Sequence, residues 1–470
     1  MGIDKSIDQL PRKNDEAIIR VTGVSNQGLG VGHPTGDESL SSFVIFAPKT
    51  APGDLARVHI TKVKQGYAFA KVLEILEASP SRTEPDCPAY GGPARGGCGG
   101  CCFRHIAYAE ELRLKRRTVE ETLKRIGGVE LDVKIIPSPE TLRYRNKAQF
   151  PFGFAADGRA ALGVFAERSH RLVEGRDCLL MPGEFSDIGA YVRDFINTNK
   201  LTVYNEETGT GLFRHLYIRK GRRSGEILVC LVINGKGIPG EDALARGLVS
   251  AFPAVRSVAF NVNTRQTNVI LGEDYRLLLG AGYICDGFCG LKLRISPKSF
   301  YQVNSPAAEV LYKAALDMAG LSEGDTALDL FCGVGAIGLY FAKEARVNVI
   351  GMEITREAVE DAKENARLNN IKNIEFIQTD LSGGFVPRLK PDAVIVDPPR
   401  KGLGAELVNA ISDVSPGKVI YISCDPGTLA RDIGFFRERG YAAVKAVAVD
   451  MFPRTQHVEC AVLLTKVKNG

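Results

Sequence analysis

The stretch TALDLFCGVGAIGLYFAKEARVNVIGME, residues 326–353, decides the fold of the C-terminal part of this chain. A short apolar run leads into a glycine-rich turn, a stretch of helical character follows, and a second apolar run closes the unit. The alternation continues through IEFIQTD (374–380), AVIVDPP (393–399) and KVIYISCD (418–425). Strand-like runs that alternate with helical stretches predict parallel βαβ units. We therefore expect an α/β domain with a doubly wound sheet over residues 291–470.

Chemically useful residues stand at the ends of these strand-like runs. In open α/β sheets, ligands bind in the crevice at the carboxyl ends of the strands. A single strand that ends on an acidic residue is commonplace. Several strands in succession that end on an acidic residue or a cysteine indicate a ligand-binding or catalytic site. The ends in question are Asp329, Glu353, Asp380, Asp397 and Cys424.

The glycine-rich turn after Asp329 predicts a nucleotide-like ligand. Its glycines allow the backbone to approach a ligand closely. Glu353 follows Asp329 by 24 residues, near the spacing at which a carboxylate binds ribose hydroxyls. No Walker-type lysine follows the turn, so an adenosine ligand without phosphates fits best, which points to S-adenosylmethionine. The alternative is that these carboxylates only cap the helices that follow them.

Cys424 and Glu459 are the candidates for catalysis. A thiol just before a helix N-terminus can have its pKa lowered, and we expect the helix to begin at Thr428 or Leu429. The alternative is an inert buried cysteine. Glu459, with His457 near it, stands at the mouth of a final apolar strand, where a raised pKa would suit a general base. The alternative for Glu459 is a solvated strand start.

The N-terminal part of the chain has a different pattern. Residues 14–78 contain several short alternating runs with glycine turns, which predict a small OB-like β-barrel. A Gly-, Pro- and Cys-rich break and a charged helical stretch follow, and residues 79–290 are expected to form a central α+β or β-rich domain. The length of 470 residues is compatible with these three domains.

Composition excludes some classes of protein. Hydrophobic residues make up 44% and charged residues 24%, as in folded soluble proteins. No run approaches the roughly 20 apolar residues of a spanning helix, and the start has no apolar leader, so a cytoplasmic protein without a membrane partner is expected. The net charge of +5 permits nucleic-acid binding without arguing for it. Eleven cysteines in such a chain indicate metal binding or catalysis rather than a disulfide framework.

The ordered motifs together resemble the RNA uracil-C5 methyltransferases, and specifically their TRAM-bearing, iron–sulfur branch that acts on 23S rRNA. The N-terminal barrel resembles a TRAM domain, so the resemblance covers nearly the whole chain. The C-terminal segments that carry it are FYQVN (300–304), DLFCGVGAIGL (329–339), DPPRKG (397–402), SCDPGTLARD (423–432) and DMFPRTQHVE (450–459), and YRNKAQFPF (144–152) and GLFRHLYIRKG (211–221) resemble central-domain segments.

The resemblance implies a Rossmann-like S-adenosylmethionine-dependent methyltransferase and a role for each matching residue. Cys424 matches the nucleophile, which would attack uracil C6 and so make C5 nucleophilic. Glu459 matches the base that removes the C5 proton. Ala336, Asp425 and Gly427 depart from commoner residues of the family. The implied contacts to S-adenosylmethionine are Gln302, Phe331, Glu353 and Asp397, with Asp380 as a further residue of that pocket.

The resemblance also implies a [4Fe–4S] cluster held by Cys87, Cys98, Cys101 and Cys178. Four thiolates suit zinc as well, and the spacing does not decide between them. Ten residues separate Cys87 from Cys98 where the family has five, and Cys102 rivals Cys101 as a ligand.

RNA is the expected partner, with 23S rRNA implied by the resemblance, and a monomer without a protein partner is expected. Two basic patches could bind RNA, although each could also be a solvated strand face. The same chemistry on tRNA, and a catalytically silent RNA-binding protein, are the alternatives. The patches are Arg143, Tyr144, Arg145 and Lys147 in one case, and Arg214, His215, Arg219 and Lys220 in the other.

Overall fold

The computed structural model describes residues 11–36, 40–91, 97–167, 169–174, 177–384 and 389–467. The chain divides into two compact units. The first unit is Met1–Thr118 with Val164–Gly175 and Phe452–Gln456, and the second is Val119–Gly163 with Arg176–Met451 and His457–Gly470.

A closed five-stranded barrel forms the start of the first unit. Its strands follow the order β1-β2-β3-β5-β4 around the barrel. Alternate residues point inward, and Ile19, Ile45 and Val58 are completely buried there. The predicted small β-barrel is therefore confirmed. The strands are β1 (Glu16–Val24), β2 (Gly30–Pro34), β3 (Val44–Ala47), β4 (Leu55–Lys64) and β5 (Tyr67–Glu77).

The charged stretch after the cysteine-rich break is helix α1 (Tyr108–Arg125), as its pattern predicted. Further along the chain, a seven-stranded sheet has the order β13-β12-β11-β10-β7-β8-β9. Its strands are β7 (Lys147–Phe154), β8 (Ala160–Phe165), β9 (Leu172–Glu174), β10 (Phe213–Lys220), β11 (Ile227–Ile233), β12 (Val255–Val262) and β13 (Asp274–Gly280), accompanied by α2 (Gly183–Thr198) and α3 (Glu241–Ala251).

An eight-stranded sheet forms the C-terminal part of the second unit, preceded by the hairpin of β14 (Ile284–Phe288) and β15 (Leu291–Ile295). Its order is β18-β17-β16-β19-β20-β22-β21-β6, and the short β6 (Lys134–Ile136) comes from much earlier in the chain. The other strands are β16 (Thr326–Leu330), β17 (Asn348–Glu353), β18 (Ile374–Gln378), β19 (Ala393–Val396), β20 (Lys418–Ser423), β21 (Tyr441–Val449) and β22 (Glu459–Lys466).

The first five strands of that order are mutually parallel, as predicted. The chain winds outward from β16 to β18, then returns to β19 on the other side of β16 and winds outward again. The gap between β16 and β19 is thus the topological switch point, where such sheets bind their ligands. The predicted doubly wound, Rossmann-like sheet is confirmed. Its helices are α4 (Ser305–Ala319), α5 (Ala336–Glu344), α6 (Arg356–Leu368), α7 (Gly404–Asp413) and α8 (Pro426–Glu438).

Strands β16, β19 and β20 have almost no exposed surface, because helices cover both faces of a parallel sheet. Their apolar side chains join α7, α8 and the antiparallel β22 in one core. This core holds the ends of β16, β19 and β20 in fixed positions. Among the described residues, no helix has the length and apolar character needed to cross a bilayer.

Candidate active site

A strained turn connects β16 to α5 at the switch point. Phe331 has φ +64°, a left-handed conformation that is costly for a bulky residue, and Gly333 and Gly335 also have positive φ. A Cβ atom on Gly335 would lie 2.6 Å from Cζ of Phe376, so only glycine fits. Asp329 Oδ2 accepts the Gly338 N–H at 2.8 Å and ties the strand to α5. This tightly held turn is the structural basis of the predicted ligand site.

Glu353, the last residue of β17, lies against this turn. Its Oε2 accepts the Gly333 N–H at 3.2 Å, and its Oε1 accepts the Thr355 N–H at 2.9 Å. The two hydrogen bonds hold the carboxylate at the carboxyl end of the sheet. A carboxylate in that position can accept hydrogen bonds from the hydroxyls of a ribose.

Three predicted ligand residues line one cavity beside the turn. Gln302, Phe331 and Asp397 border it together with the aromatic rings of Phe300 and Tyr312. Within the described part of the chain, its lining contains no lysine or arginine that would neutralise a phosphate. The aromatic surface, the amide of Gln302 and the nearby carboxylate of Glu353 fit an adenosine-type ligand without phosphates.

The structure does not bring Asp380 into this group. Asp380 lies two residues beyond β18, is exposed, and does not line the cavity. Its Oδ1 accepts the Ser382 N–H at 2.8 Å, and this hydrogen bond lowers the pKa of the carboxyl group. Its role in ligand binding stays a prediction.

Cys424 and Glu459 are brought together by the pairing of β20 with β22. These strands are antiparallel, and Ser423 pairs with Cys460 at the end of the ladder. The same register, continued by one residue, places Cys424 opposite Glu459. Residues opposite each other on antiparallel strands have Cβ atoms about 4.5–5.5 Å apart. The expected nucleophile and the expected base are therefore neighbours at the carboxyl end of β20.

The protonation of Cys424 differs from the expectation. Burial, with the charges of Glu459 and Asp397, raises the pKa of the Cys424 thiol to about 11. The helix does begin here, but at Pro426, and Asp425 caps it by accepting the Gly427 N–H at 2.8 Å. The predicted lowering of the thiol pKa is wrong, because desolvation and two carboxylates outweigh a helix terminus that Asp425 already caps.

The structure buries Glu459, which excludes the solvated strand start, and its role as a base stays a prediction. It is 4% exposed, and burial followed by the charge of Asp397 raises the pKa of its carboxyl group well above the usual range. Burial also raises the pKa of Asp397 to about 7. Arg400 has the opposite influence, because its charge lowers the pKa values of both Cys424 and Glu459. Arg400 is a site residue for which the sequence indicated no role, although it lies within DPPRKG.

Asp432 holds the loop that carries Asp397 and Arg400, and it was not predicted from the sequence. This fully buried carboxylate accepts the Leu403 N–H at 2.7 Å and the Tyr421 hydroxyl at 2.7 Å. It therefore ties the end of DPPRKG to β20 and α8. The signal in the sequence was its place as the last residue of SCDPGTLARD, which alone does not distinguish a clamp from a surface acid.

The two predicted RNA patches differ in the structure. In the second patch, Arg214, His215 and Arg219 are at most 8% exposed. Arg219 donates to the Ser299 carbonyl at 2.8 Å, and Arg214 donates to the Asn263 carbonyl at 2.8 Å. These side chains brace loops from within, so that patch is not an exposed basic surface. In the first patch, Arg143 and Arg145 are partly exposed while Tyr144 is buried.

The predicted cluster ligands are divided between the units, with Cys87, Cys98 and Cys101 in the first and Cys178 in the second. Cys98 donates its N–H to the Ala89 carbonyl at 2.8 Å and its Sγ accepts the Gly100 N–H at 3.3 Å. Residues 92–96, between Cys87 and Cys98, lie outside the described part of the chain. Within the described part, no three His, Cys, Asp or Glu side chains are arranged as a metal-binding site. The geometry therefore does not by itself fit a cluster.

Cys102, the rival ligand, has a separate environment. Its Sγ donates to Oε1 of Gln456 at 3.3 Å, and burial raises the pKa of the thiol well above its usual range. A thiol that is buried and used as a hydrogen-bond donor is poorly suited to binding a metal as a thiolate.

Comparisons with known proteins identify the family of both parts of the chain. Residues 289–467 match the family model described as tRNA (uracil-5-)-methyltransferase, and residues 14–73 match the TRAM domain. An RNA methyltransferase of Halalkalibacterium halodurans is 38% identical over 464 residues, covering 97% of this chain and 98% of that protein. One from Clostridium tetani is 37% identical over 460 residues, covering 97% of each.

A solved structure is similar over nearly the whole chain. It is the crystal structure of Pyrococcus abyssi tRNA (uracil-54, C5)-methyltransferase in complex with S-adenosyl-L-homocysteine. The TM-score is 0.74 at 29% identity, and the match covers 95% of this chain and 99% of that chain.

Proposed function

Because the chain belongs to the RNA (uracil-5-)-methyltransferase family and carries a TRAM domain, we propose that it methylates uridine C5 through a covalent adduct with Cys424. It is an S-adenosylmethionine-dependent RNA methyltransferase. The observation that carries the proposal is the opposition of Cys424 and Glu459 across β20 and β22, beside the cavity that Asp397 lines. We assign residues 14–78, 79–290 and 291–470 to barrel, central and methyltransferase domains.

The residues around the cavity bind and orient the methyl donor. Glu353 would accept hydrogen bonds from its ribose, and Gln302, Phe331 and Asp397 would contact it. Asp380 is proposed as a further contact on the resemblance alone, since it does not line the cavity. S-adenosylmethionine, when bound, supplies an electrophilic methyl group on a positively charged sulfur. Reaction then requires the C5 atom to be held about 3 Å from that methyl carbon, which is mainly a matter of positioning.

Cys424 makes C5 reactive. As a thiolate its Sγ adds to C6 of the uracil, and the electron pair of the C5–C6 bond moves into an enolate that ends on O4. C5 of the enolate then takes the methyl group, and the carbon–sulfur bond of the donor breaks. Since C6 is covered in a stacked helix, the target uridine must be unstacked before Cys424 can reach it.

Glu459 completes the reaction. Its carboxylate removes the proton from C5, the electron pair of that C–H bond restores the C5–C6 double bond, and the C6–Sγ bond breaks to release the Cys424 thiolate. The base must be ionised at this step, and the charge of Arg400 favours the ionised form. Burial favours the reverse, so Glu459 binds a proton strongly once it has removed it.

We propose 23S rRNA as the substrate, on the resemblance of the motifs to the rRNA branch. A tRNA is the second candidate, because the similar Pyrococcus abyssi enzyme acts on tRNA and matches 95% of this chain. The N-terminal barrel therefore does not discriminate between the two.

Mapping 5-methyluridine in rRNA and tRNA from a deletion strain, complemented with the wild-type gene or with Cys424→Ala, tests the proposal. Loss from 23S rRNA that only the wild type restores is expected; loss from tRNA alone would assign the second substrate, and no loss would refute both.

The cysteines Cys87, Cys98, Cys101 and Cys178 are proposed as [4Fe–4S] ligands on the resemblance alone, with zinc as the alternative. No step of the reaction depends on the cluster. Iron, sulfide and zinc analysis of anaerobically purified protein tests this part: iron with sulfide supports it, and stoichiometric zinc without iron contradicts it.

A further inference from the structure

A second cavity of about 300 Å³ lies in the second unit, at the start of β7. The segment Arg143–Asn146 borders it on one side, and the first residues of α2 and the end of β10 complete its walls. None of Cys424, Glu459 and Asp397 lines it. The volume is in the range of small-ligand sites, and the cavity is separate from the one proposed for the methyl donor.

The cavity carries surplus positive charge. Its wall contains four basic side chains and one carboxylate. Arg145 has no carboxylate partner among the described residues, and its buried Nε has no hydrogen-bond partner there. The other three basic side chains are paired: Arg143 with Asp177, Lys220 with Glu184, and Arg222 with Glu140.

The N-terminus of α2 adds donors to the same wall. This helix has 16 residues, and its N-cap, Pro182, contributes no capping side chain. Gly183 and Glu184, the first helical residues, line the cavity. The first N–H groups of a helix carry partial positive charge and can bind anions. In α2 the Phe185 N–H already donates to the Pro182 carbonyl at 3.1 Å, so the donors that remain are those of Gly183 and of Glu184, which also lies beside its own carboxylate.

Asn146 supplies an independent sign of a ligand. It is 3% exposed and lines the cavity, and its Nδ2 donates to the Gln302 carbonyl at 2.8 Å and to Ser305 Oγ at 2.9 Å. Its buried Oδ1 accepts no hydrogen bond within the described part of the chain. A buried acceptor without a partner is unfavourable, so a ligand hydroxyl that donates to it would be stabilised.

We propose that this cavity binds one nucleotide of the substrate RNA, flanking the target uridine, with its phosphodiester at Arg145 and the α2 N-terminus and its 2′-hydroxyl donating to Asn146 Oδ1. The proposal rests on the proposed RNA substrate and deepens it. A phosphate accounts for the surplus positive charge, and a 2′-hydroxyl accounts for the unused acceptor, which a phosphate oxygen cannot satisfy. The two features together specify RNA rather than DNA.

The surroundings of Arg145 agree with an anion at this place. Burial, with the charges of Arg219 and Arg145, lowers the pKa of Lys147 to about 8. Positive charges are thus crowded at the start of β7. An RNA phosphate beside Arg145 would reduce this repulsion.

The contact of Asn146 with Gln302 connects the flanking nucleotide to the methyl-donor cavity. Gln302 lines that cavity, and its main-chain carbonyl accepts a hydrogen bond from the Asn146 amide at 2.8 Å. A change at Asn146 would therefore also affect the position of Gln302 in the methyl-donor cavity.

Arg145→Ala and Arg145→Lys test the phosphate contact, with Arg193→Ala as the matched control. Arg193 lies on the same helix α2, does not line the cavity, and among the described residues forms its ion pair with its neighbour Asp194. We expect Arg145→Ala to raise KM for RNA about tenfold with little change in kcat, and Arg145→Lys to restore part of the loss. The slope of log affinity against log salt should fall by about one for Arg145→Ala and stay unchanged for Arg193→Ala. Equal affinities of the alanine variants would overturn the proposal.

Oligoribonucleotides around the mapped uridine, each with a single 2′-deoxy residue, test the hydroxyl contact. The 2′-deoxy substitution at one flanking position should weaken binding to the wild-type protein several-fold. The same position should be the sensitive one in the Arg145→Lys variant. Sensitivity at no position would contradict the role of Asn146. The affinity for 23S rRNA and tRNA transcripts is measured with the Cys424→Ala protein, which should not react. The binding test is therefore independent of the methylation reaction. If methylation fails but Arg145→Ala weakens RNA binding, the flanking site stands and the proposed reaction falls.

Discussion

Cys424 lies opposite Glu459, one residue beyond the last pair of the antiparallel ladder between β20 and β22. The two groups are electrostatically coupled, since the charge of Glu459 raises the pKa of the thiol. The pair therefore resists holding two negative charges at once. A site of this kind keeps the thiol of the free protein protonated, even though the charge of Arg400 favours the thiolate.

The alkylation rate of Cys424 should report this coupling. With a thiol pKa of about 11, the rate in the free protein should rise about tenfold per pH unit through the neutral and mildly alkaline range. Glu459→Gln removes a negative charge and should accelerate alkylation where Glu459 is ionised, whereas Arg400→Gln should slow it. Peptide mapping by mass spectrometry after iodoacetamide treatment gives the rate at this one cysteine. A rate that levels off near pH 8.5, the value of an ordinary thiol, would contradict the raised pKa.

Glu353→Gln should weaken binding of S-adenosylmethionine about tenfold, because a neutral amide is a weaker acceptor for ribose hydroxyls than a carboxylate. Isothermal titration calorimetry measures the Kd directly. Glu375→Gln is the control, since Glu375 is exposed on the neighbouring strand β18. Unchanged affinity in Glu353→Gln would remove Glu353 from the proposed site.

Gly335→Ala should destabilise the protein by about 1–3 kcal/mol, because the added Cβ would meet the Phe376 ring and φ is +79°. Gly434→Ala is the control. Gly434 lies inside α8, and no described atom outside its own stretch of helix lies within 4 Å of the point that a Cβ would occupy, so alanine should stabilise the helix by up to about 1 kcal/mol. Urea denaturation measures both free energies of unfolding. Equal effects of the two substitutions would show that the turn is not tightly constrained.

Tyr421→Phe should lower both stability and turnover, because it removes a donor from the buried Asp432 that holds the DPPRKG loop. A hydrogen bond to a charged group contributes about 1.5–3 kcal/mol. Tyr441→Phe is matched to it, since the Tyr441 hydroxyl donates at 2.9 Å to the uncharged Pro416 carbonyl and should cost only about 1 kcal/mol. Urea denaturation gives the free energy of unfolding of each variant, and kcat gives its turnover. Only Tyr421→Phe should lose turnover as well as stability. Full turnover in Tyr421→Phe would contradict the role of Asp432 as the residue that holds the loop.

Much of the site could be predicted because the relevant residues follow from local patterns. Glu353, Asp397 and Cys424 each end an apolar run or follow it directly, and parallel strands bring such ends to one edge of the sheet. The five-stranded barrel was predictable for the same reason, since its burial alternates with a period of two.

Other features depend on contacts between segments distant in sequence. The three residues of β6 join the eight-stranded sheet beside β21, and so short a run has no readable periodicity. Arg214 and Arg219 look like surface cations in the sequence, but distant loop carbonyls satisfy them in the interior. The raised pKa of Cys424 likewise arises from burial and from the charges of Glu459 and Asp397, which only the folded sheet brings about.

The most direct test of the central claim is to incubate Glu459→Gln with substrate RNA and S-adenosylmethionine and to look for a protein–RNA species on denaturing gels and by intact mass. Without a base to remove the C5 proton, the adduct should form but not resolve, so the species should accumulate with the mass of protein, RNA and one methyl group. It should be missing in the double variant with Cys424→Ala, which should also have no turnover on its own. Methylation by Cys424→Ala, or an adduct that persists without Cys424, would contradict the covalent mechanism.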